Sequence, residues 1–325
     1  MDISDNVVQA VQDAQWALIA LDGVTGISIG LREAAGEPVD DELVVRITVR
    51  DAANPPDGLP DEIGEVPVFI VEGSIEPCGF PDDVRYDELH GGIKVTNPAL
   101  GGGTLGVLVE DASTGAILGL TCYHVVGNPG QAFPDHVWQA TNPPLTGTVP
   151  DDDVISDSWR VDFPQSPLPL SLPFPLLAAA TDSAAIDLSQ ATAHGRGTSR
   201  AVAGDLGQPN LADAITATAL PALGDKVRVR GFVTGPSMGI VIGLHHMPVW
   251  NVGAQFAVLL EQLEILAWPP GSRFGQKGDS GALVLAESGP TAVGLLWGVT
   301  DDGSHASASQ IGRVESALGV SAVWA

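Results

Sequence analysis

Apolar residues fall at steps of four, three and four along Val7, Val11, Ala14 and Leu18, and Trp16 and Ile19 widen the stripe. That spacing puts them on one face of a helix, so residues 5–21 are expected to be an amphipathic helix ended by Asp22-Gly23. The period then changes to two. Leu43, Val45, Ile47 and Val49 alternate with Val44, Arg46, Thr48 and Arg50, the signature of a strand, with further strands expected at Gly26–Leu31 and Val66–Val71. A small α+β unit over residues 1–78 follows, and its scattered carboxylates read as solvated surface. From Gly91 onward short apolar runs alternate with Gly-rich turns. Thr104–Glu110 and Ala116–Thr121 read as a hairpin around Ala112-Ser113-Thr114-Gly115. Ala184–Leu188, Lys226–Val233, Gly239–Gly243, Ala257–Leu263, Ala282–Leu285 and Ala292–Trp297 read as strands, and Ile311–Leu318 as a short terminal helix. No repeat of 20–50 residues is evident.

Composition narrows the class. The 325 residues hold 39 Gly and 25 Pro, a share that suits a β-rich chain with many turns. Ten of those prolines lie in residues 128–178, so that stretch is expected to be a long irregular insertion, since proline removes ladder donors. The formal charge is −26, which repels phosphate backbones and anionic lipid and argues against nucleic acid and membrane surfaces as partners. Hydrophobic residues make up 44%, enough for a large core, yet no apolar run reaches the ~18 residues of a membrane span. Two cysteines, Cys78 and Cys122, exclude a disulfide framework and leave room for one bridge at most. Met1-Asp2-Ile3-Ser4-Asp5 carries no basic leader, so the cytoplasm is the expected compartment. Homo-oligomerisation is not readable.

Three motifs bear on chemistry. Gly278-Asp279-Ser280-Gly281 precedes an apolar strand, and a serine among turn-forming residues stands clear of the backbone while neighbouring N–H groups can hold an oxyanion. By itself this is also an ordinary turn. Thr121-Cys122-Tyr123-His124 puts a histidine directly after an apolar strand, where a satisfied core histidine is the plainer reading. Thr181-Asp182-Ser183-Ala184-Ala185-Ile186-Asp187 opens a short apolar strand with an acid, a pattern that 40 acidic residues make common.

In the order His124, Asp182, Ser280, the three together resemble the trypsin-like (chymotrypsin-fold) serine proteases. The match covers residues 90–325: Thr121-Cys122-Tyr123-His124 stands for the family's Thr-Ala-x-His, Asp182-Ser183-Ala184-Ala185-Ile186 for its Asp-x-Ala strand, and Gly-Asp-Ser-Gly is matched letter for letter. The resemblance implies a mostly β fold of two six-stranded antiparallel β-barrels, here residues 79–325, behind a small α+β N-terminal module. It implies a serine endopeptidase acting on protein or peptide without cofactor or metal. His124, Asp182 and Ser280 would form the catalytic triad, and the N–H groups of Gly278 and Ser280 the oxyanion hole. Leu296-Trp297-Gly298 would pair with substrate backbone, and Phe274 would lie at the base of the specificity pocket. Gly102-Gly103-Thr104-Leu105-Gly106 and the leading module resemble a cytosolic bacterial and plant branch of the superfamily. The chain departs from secreted members in lacking the disulfides that bracket His and Ser, and no Ile-Val activation start is evident. The competing expectation is a protease-like scaffold, idle or latent, that acts as a binding or assembly protein.

Other features take plainer readings. Asp187 rivals Asp182 as the acid, but an odd spacing of five turns it to the opposite face of a regular strand. Asp279 is expected to make structural contacts. Phe274 suggests a shallow apolar pocket, whereas Asp301 and Asp302 would favour a basic side chain at its mouth, and both stay open. His245-His246 lacks the spacing of a metal pair and reads as surface. Asp151-Asp152-Asp153 lacks the alternation of a calcium loop and reads as solvated. Among Trp16, Trp138, Trp159, Trp250, Trp268, Trp297 and Trp324, all but Trp297 read as packing.

Overall fold

The computed structural model describes residues 3–34, 37–74, 84–97, 100–127, 136–139, 151–163, 166–167, 176–204, 210–252 and 255–324. Cys78 and much of the 128–178 insertion lie outside them. Among the described residues, no helix is long and apolar enough to cross a membrane.

The fold is mostly β, as expected. Its C-terminal half is a closed antiparallel barrel of six strands, Lys226–Gly231, Leu283–Ala286, Thr291–Val299, His305–Gln310, Gln262–Trp268 and Gly235–His246, the last pairing back to the first. Inward-facing Val227, Val229, Val241, Ile265, Phe274, Val284, Val293 and Leu296 fill it. The preceding half is a half-barrel of two sheets. One runs Trp159–Asp162, Ser183–Asp187, Ile117–Thr121, Val107–Asp111, Val320–Ser321; the other runs Val154–Ser156, Val137–Trp138, Ile93–Asn97, Gly101–Leu105. The helix Ile311–Leu318 buries Ile311, Val314 and Leu318 in this half's core.

Two expected strands are broken, each for a local reason. Thr104–Glu110 divides at Gly106 into Gly101–Leu105 and Val107–Asp111. A Cβ at Gly106 would lie 2.2 Å from the carbonyl oxygen of Gly281, so the chain needs a glycine where the two backbones meet. Ala257–Leu263 divides at Leu260-Glu261, where Glu261 takes φ +62°. The insertion 128–178 is less irregular than its prolines suggest: Val137–Trp138 pairs with Val154–Ser156 within it and with Ile93–Asn97 before it, and Trp159–Asp162 pairs with Ser183–Asp187 beyond it, partners that local sequence cannot announce. Asp151–Asp153 is a 3₁₀ turn, and Arg85 anchors Asp152 and Asp153 at 3.2 and 2.9 Å, so these acids are not merely solvated.

The N-terminal helix spans Asp5–Ile19 and buries Val11, Leu18 and Ile19. It packs against Val24–Ala34, which pairs with Glu37–Val49, itself parallel to Val66–Glu72. Val24–Ala34 also pairs with the barrel strand Gly235–His246 through Ile29↔Leu244 and Gly30↔Gly243, so the N-terminal strands and the barrel form one continuous sheet. The contact is sealed by a buried ion cluster. Arg46, fully buried, meets Glu264 with Nε at 3.1 Å and Nη2 at 3.2 Å, meets Glu33 at 2.5 Å, and donates to the Leu31 carbonyl at 2.8 Å. Ser28 donates to Glu264, and His305 Nε2 lies 3.0 Å from Glu33. The alternation that set Arg46 on a polar face is real, but that face is covered too.

His246 belongs to this cluster and is 1% exposed, which overturns the surface reading of the His245-His246 pair. Burial lowers its pKa from 6.5 to about 4. For Glu264, burial pushes the carboxyl up, but the Arg46 charge with His246 and His305 outweighs it and brings the pKa from 4.5 to about 2. Both groups bind fewer protons folded than unfolded, so stability rises with pH across each window. The urea midpoint should therefore fall as pH drops from 6.5 to 4 through His246, and further from 4.5 towards 2 through Glu264. His246→Gln should flatten the upper window; a midpoint constant between pH 7 and 4 would contradict the assignment.

Candidate active site

The strand Ile117–Thr121 runs through extended Cys122 into the four-residue helix Tyr123–Val126, which carries His124. Ser183–Asp187 pairs antiparallel with that strand, Ala184 facing Thr121. Asp182, one residue before it, is thereby delivered to the end that bears His124. Its Oδ2 lies 2.5 Å from His124 Nδ1, and its Oδ1 accepts the His124 backbone N–H at 3.2 Å. Asp182 is 1% exposed, so the carboxylate is buried, while the His124 ring stays partly open to solvent. Asp187 faces Leu118 at the other end of the pairing, ~16 Å along the strand, and accepts the Ser189 N–H at 2.8 Å.

Ser280 comes from the closed barrel. It sits in the turn before Leu283–Ala286, between Gly278 at φ +106° and Gly281 at φ +96°. A Cβ at Gly281 would lie 2.1 Å from the Thr104 carbonyl oxygen and 3.2 Å from the Cys122 nitrogen, which shows how tightly this turn is pressed against the segment leading to His124. The Ser280 hydroxyl donates to the Trp297 carbonyl at 3.0 Å. His124 Nε2 is buried and has no hydrogen-bond partner among the described residues. The backbone N–H groups of Gly278 and Ser280 likewise donate to no acceptor among them.

Asp279 shapes the turn. Its buried carboxylate accepts the N–H groups of Val233, Thr234 and Gln276 at 2.9, 3.2 and 2.7 Å, and the Thr234 hydroxyl. Burial raises its pKa in spite of those donors. It ties the Ser280 turn to the Lys226–Gly231/Gly235–His246 hairpin, the structural role its position suggests.

The other candidate residues are covered. Phe274 is fully buried in the closed barrel, Leu296 is fully buried, and Trp297 is 1% exposed. Trp250 lies over Trp297 with ring centroids 5.0 Å apart, and Phe163 bridges from Trp250 at 6.2 Å to Tyr123 at 4.7 Å. Gly298 is buried and pairs with Ser307. Asp302 accepts from Thr300 and Ser304 within its own turn, and Asp301 lies 3.9 Å from Lys277 Nζ. The aromatic cover was not legible in the sequence, because Phe163 and Trp250 stand far from Trp297 along the chain.

Cys122, His124 and Asp182 bring possible ligand atoms within 4.8 Å of one another. The histidine and carboxylate already share a hydrogen bond, however, and the Cys122 thiol donates to the Leu296 carbonyl at 3.3 Å. A cation would have to break both contacts. What the arrangement offers instead is an oriented imidazole, a serine whose turn is pressed against the segment leading to that imidazole, and two unengaged N–H groups in the same turn.

No family model matches the sequence, and no curated protein matches it. Solved structures do. A glutamic acid-specific serine protease that uses a novel histidine triad in substrate binding is 16% identical, with 73% of this chain and 100% of that one covered and a TM-score of 0.50. Nocardiopsis protease is 14% identical over 72% of this chain and 98% of its own, with a TM-score of 0.45. Thermobifida fusca protease A is 16% identical over 73% and 100%, also at 0.45. The chain has the chymotrypsin fold. In it, the half-barrel supplies His124 and Asp182, and the closed barrel supplies Ser280.

Proposed function

We propose that this protein is a serine endopeptidase that hydrolyses peptide bonds through His124, Asp182 and Ser280. The observation that carries the reading is the 2.5 Å bond between His124 Nδ1 and the buried Asp182, with Nε2 left without a hydrogen-bond partner among the described residues. A carboxylate on Nδ1 fixes the tautomer that leaves Nε2 as the base. Ser280 Oγ attacks the peptide carbonyl while Nε2 takes its proton. The N–H groups of Gly278 and Ser280 hold the oxyanion, where one such donor is worth about 10²–10³ in kcat. The imidazolium then protonates the leaving amine, and water repeats the sequence to release the acid.

In the form described, the Ser280 hydroxyl is engaged with Trp297 and the Trp297 strand is covered by Trp250. Turning the hydroxyl to Nε2 gives up one neutral hydrogen bond, about 1 kcal/mol, which does not argue for an idle site. The covered strand favours, as second reading, an enzyme that opens before it binds a long substrate. A reducing, cytoplasmic compartment suits the Cys122 thiol buried two residues from the base. Incubation with a fluorophosphonate probe, followed by peptide mass mapping, tests the proposal. Modification of Ser280 is expected; a full-length, folded protein that reacts at no serine would refute it.

A further inference from the structure

The glycine-rich stretch Gly101-Gly102-Gly103-Thr104-Leu105-Gly106 has a role beyond its strand. A Cβ at Gly103 would lie 2.8 Å from the Ser280 carbonyl oxygen, and one at Gly106 would lie 2.2 Å from that of Gly281. This segment of the half-barrel therefore lies backbone against backbone with the nucleophile turn of the closed barrel. Thr104 is fully buried between those two glycines.

All its polar groups are committed there. Its N–H donates to the Ser280 carbonyl at 2.7 Å, and its hydroxyl donates to the Gly278 carbonyl at 2.9 Å. The same hydroxyl accepts the Phe232 N–H at 3.2 Å, and its carbonyl accepts the Thr121 hydroxyl at 2.7 Å. A threonine hydroxyl has one proton to give, and here it goes to the turn that bears the two unengaged N–H groups. Thr121 begins the segment that leads to His124. One residue thus ties the oxyanion turn, the nucleophile and the base-bearing segment together across the two halves of the fold.

The turn needs such a tether. Gly278, at φ +106°, has no Cβ to restrict it, so its peptide planes are held only by what they bond to. The two carbonyls that Thr104 holds belong to the 278–279 and 280–281 peptide units. These flank the 279–280 unit that carries the Ser280 N–H, whose Asp279 carbonyl accepts the Ala282 N–H at 2.9 Å, and the first of them directly follows the unit that carries the Gly278 N–H. Fixing these neighbouring planes limits how far the N–H groups of Gly278 and Ser280 can turn.

We propose that Thr104 is a positioning residue for the oxyanion hole, acting through its hydroxyl on the Gly278 carbonyl; the proposal rests on the peptidase reading above. The test compares the full chain with Thr104→Val, which keeps shape but removes the hydroxyl, and Thr104→Ser, which keeps the hydroxyl. Thr104→Val should lower the rate of fluorophosphonate labelling at Ser280 and the peptidase kcat by about tenfold or more, a fraction of the loss expected when a whole donor is removed. KM should change less than about threefold, because ground-state binding does not use the hole. Thr104→Ser should stay within about twofold of wild type. A purely structural residue would lower the melting temperature without moving kcat. Equal labelling and kcat in Thr104→Val and wild type would overturn the proposal.

Should Thr104→Val not fold, Thr104→Ala against Thr104→Ser isolates the same hydroxyl under the same criteria. Amide hydrogen exchange over residues 277–281 separates this proposal from the peptidase reading. A wild-type chain that never labels refutes the peptidase alone, whereas the tether still requires exchange about tenfold faster without the hydroxyl than with it. Equal exchange in the two variants would overturn the tether whatever the labelling shows.

Discussion

Replacing Ser280 with alanine should lower peptide hydrolysis by about 10⁶-fold, and His124→Ala should do the same, because nucleophile and base act as one unit whose members cannot substitute for each other. Asp182→Asn should cost about 10⁴-fold. The amide keeps the shape but reverses the hydrogen bond at Nδ1, so the imidazole presents a protonated Nε2 to Ser280 and cannot accept its proton. Asp187→Asn should leave the rate within about twofold, since its carboxylate caps Ser189 far from the imidazole. The measurement is kcat/KM on a cleaved peptide, with labelling of Ser280 as a second readout. If Asp187→Asn abolishes activity while Asp182→Asn spares it, the acid is misassigned. Residual hydrolysis in Ser280→Ala near the wild-type rate would remove Ser280 from the mechanism.

Arg46→Ala should destabilise the fold by about 3–5 kcal/mol, the usual cost of removing one partner from a buried ion pair. Two carboxylates, Glu264 and Glu33, lose the guanidinium they face, and the Leu31 carbonyl loses a donor. Burial would then push Glu264 up, towards taking a proton. The pairing of Val24–Ala34 with the barrel passes over this cluster, so the loss should be felt by both. Urea unfolding at pH 7 measures it, followed by fluorescence of Trp16 on the N-terminal helix and Trp297 in the barrel. One shared transition shifted to lower urea is expected; a loss below about 1 kcal/mol would show that the cluster contributes no net stability. The double variant Arg46→Met, Glu264→Leu should recover much of the loss, since no charge is then left unpaired in the interior.

How much of this was legible depended on range. The N-terminal helix and the terminal helix Ile311–Leu318 lie within two residues of the expected bounds, and the strand expected over Leu43–Val49 ends there but begins earlier, at Glu37. The identity of the three candidate catalytic side chains also came from local motifs, since each sits at a strand end where the chain turns. The burial of Arg46 could not be read, because alternation says which face a residue occupies but not whether that face is covered; His246 was misplaced because its spacing argued only against a metal pair and said nothing of what packs over it. The strands within 128–178 and the aromatic cover on Trp297 were invisible for a related reason: their partners lie far away along the chain.

The sequence by itself determined the β-rich class, the order His124, Asp182, Ser280, and the glycines that permit close backbone contact. Periodicity, turn chemistry and motif order are properties of neighbours in the chain. Only the tertiary structure decided that Asp182 and not Asp187 meets the histidine, because strand register is set by pairing across a sheet. It alone decided that Thr104 reaches the Gly278–Gly281 turn and that the N-terminal strands continue the barrel. Those contacts join residues tens to hundreds of positions apart, and burial of polar groups at such junctions is a consequence of packing that no local pattern encodes.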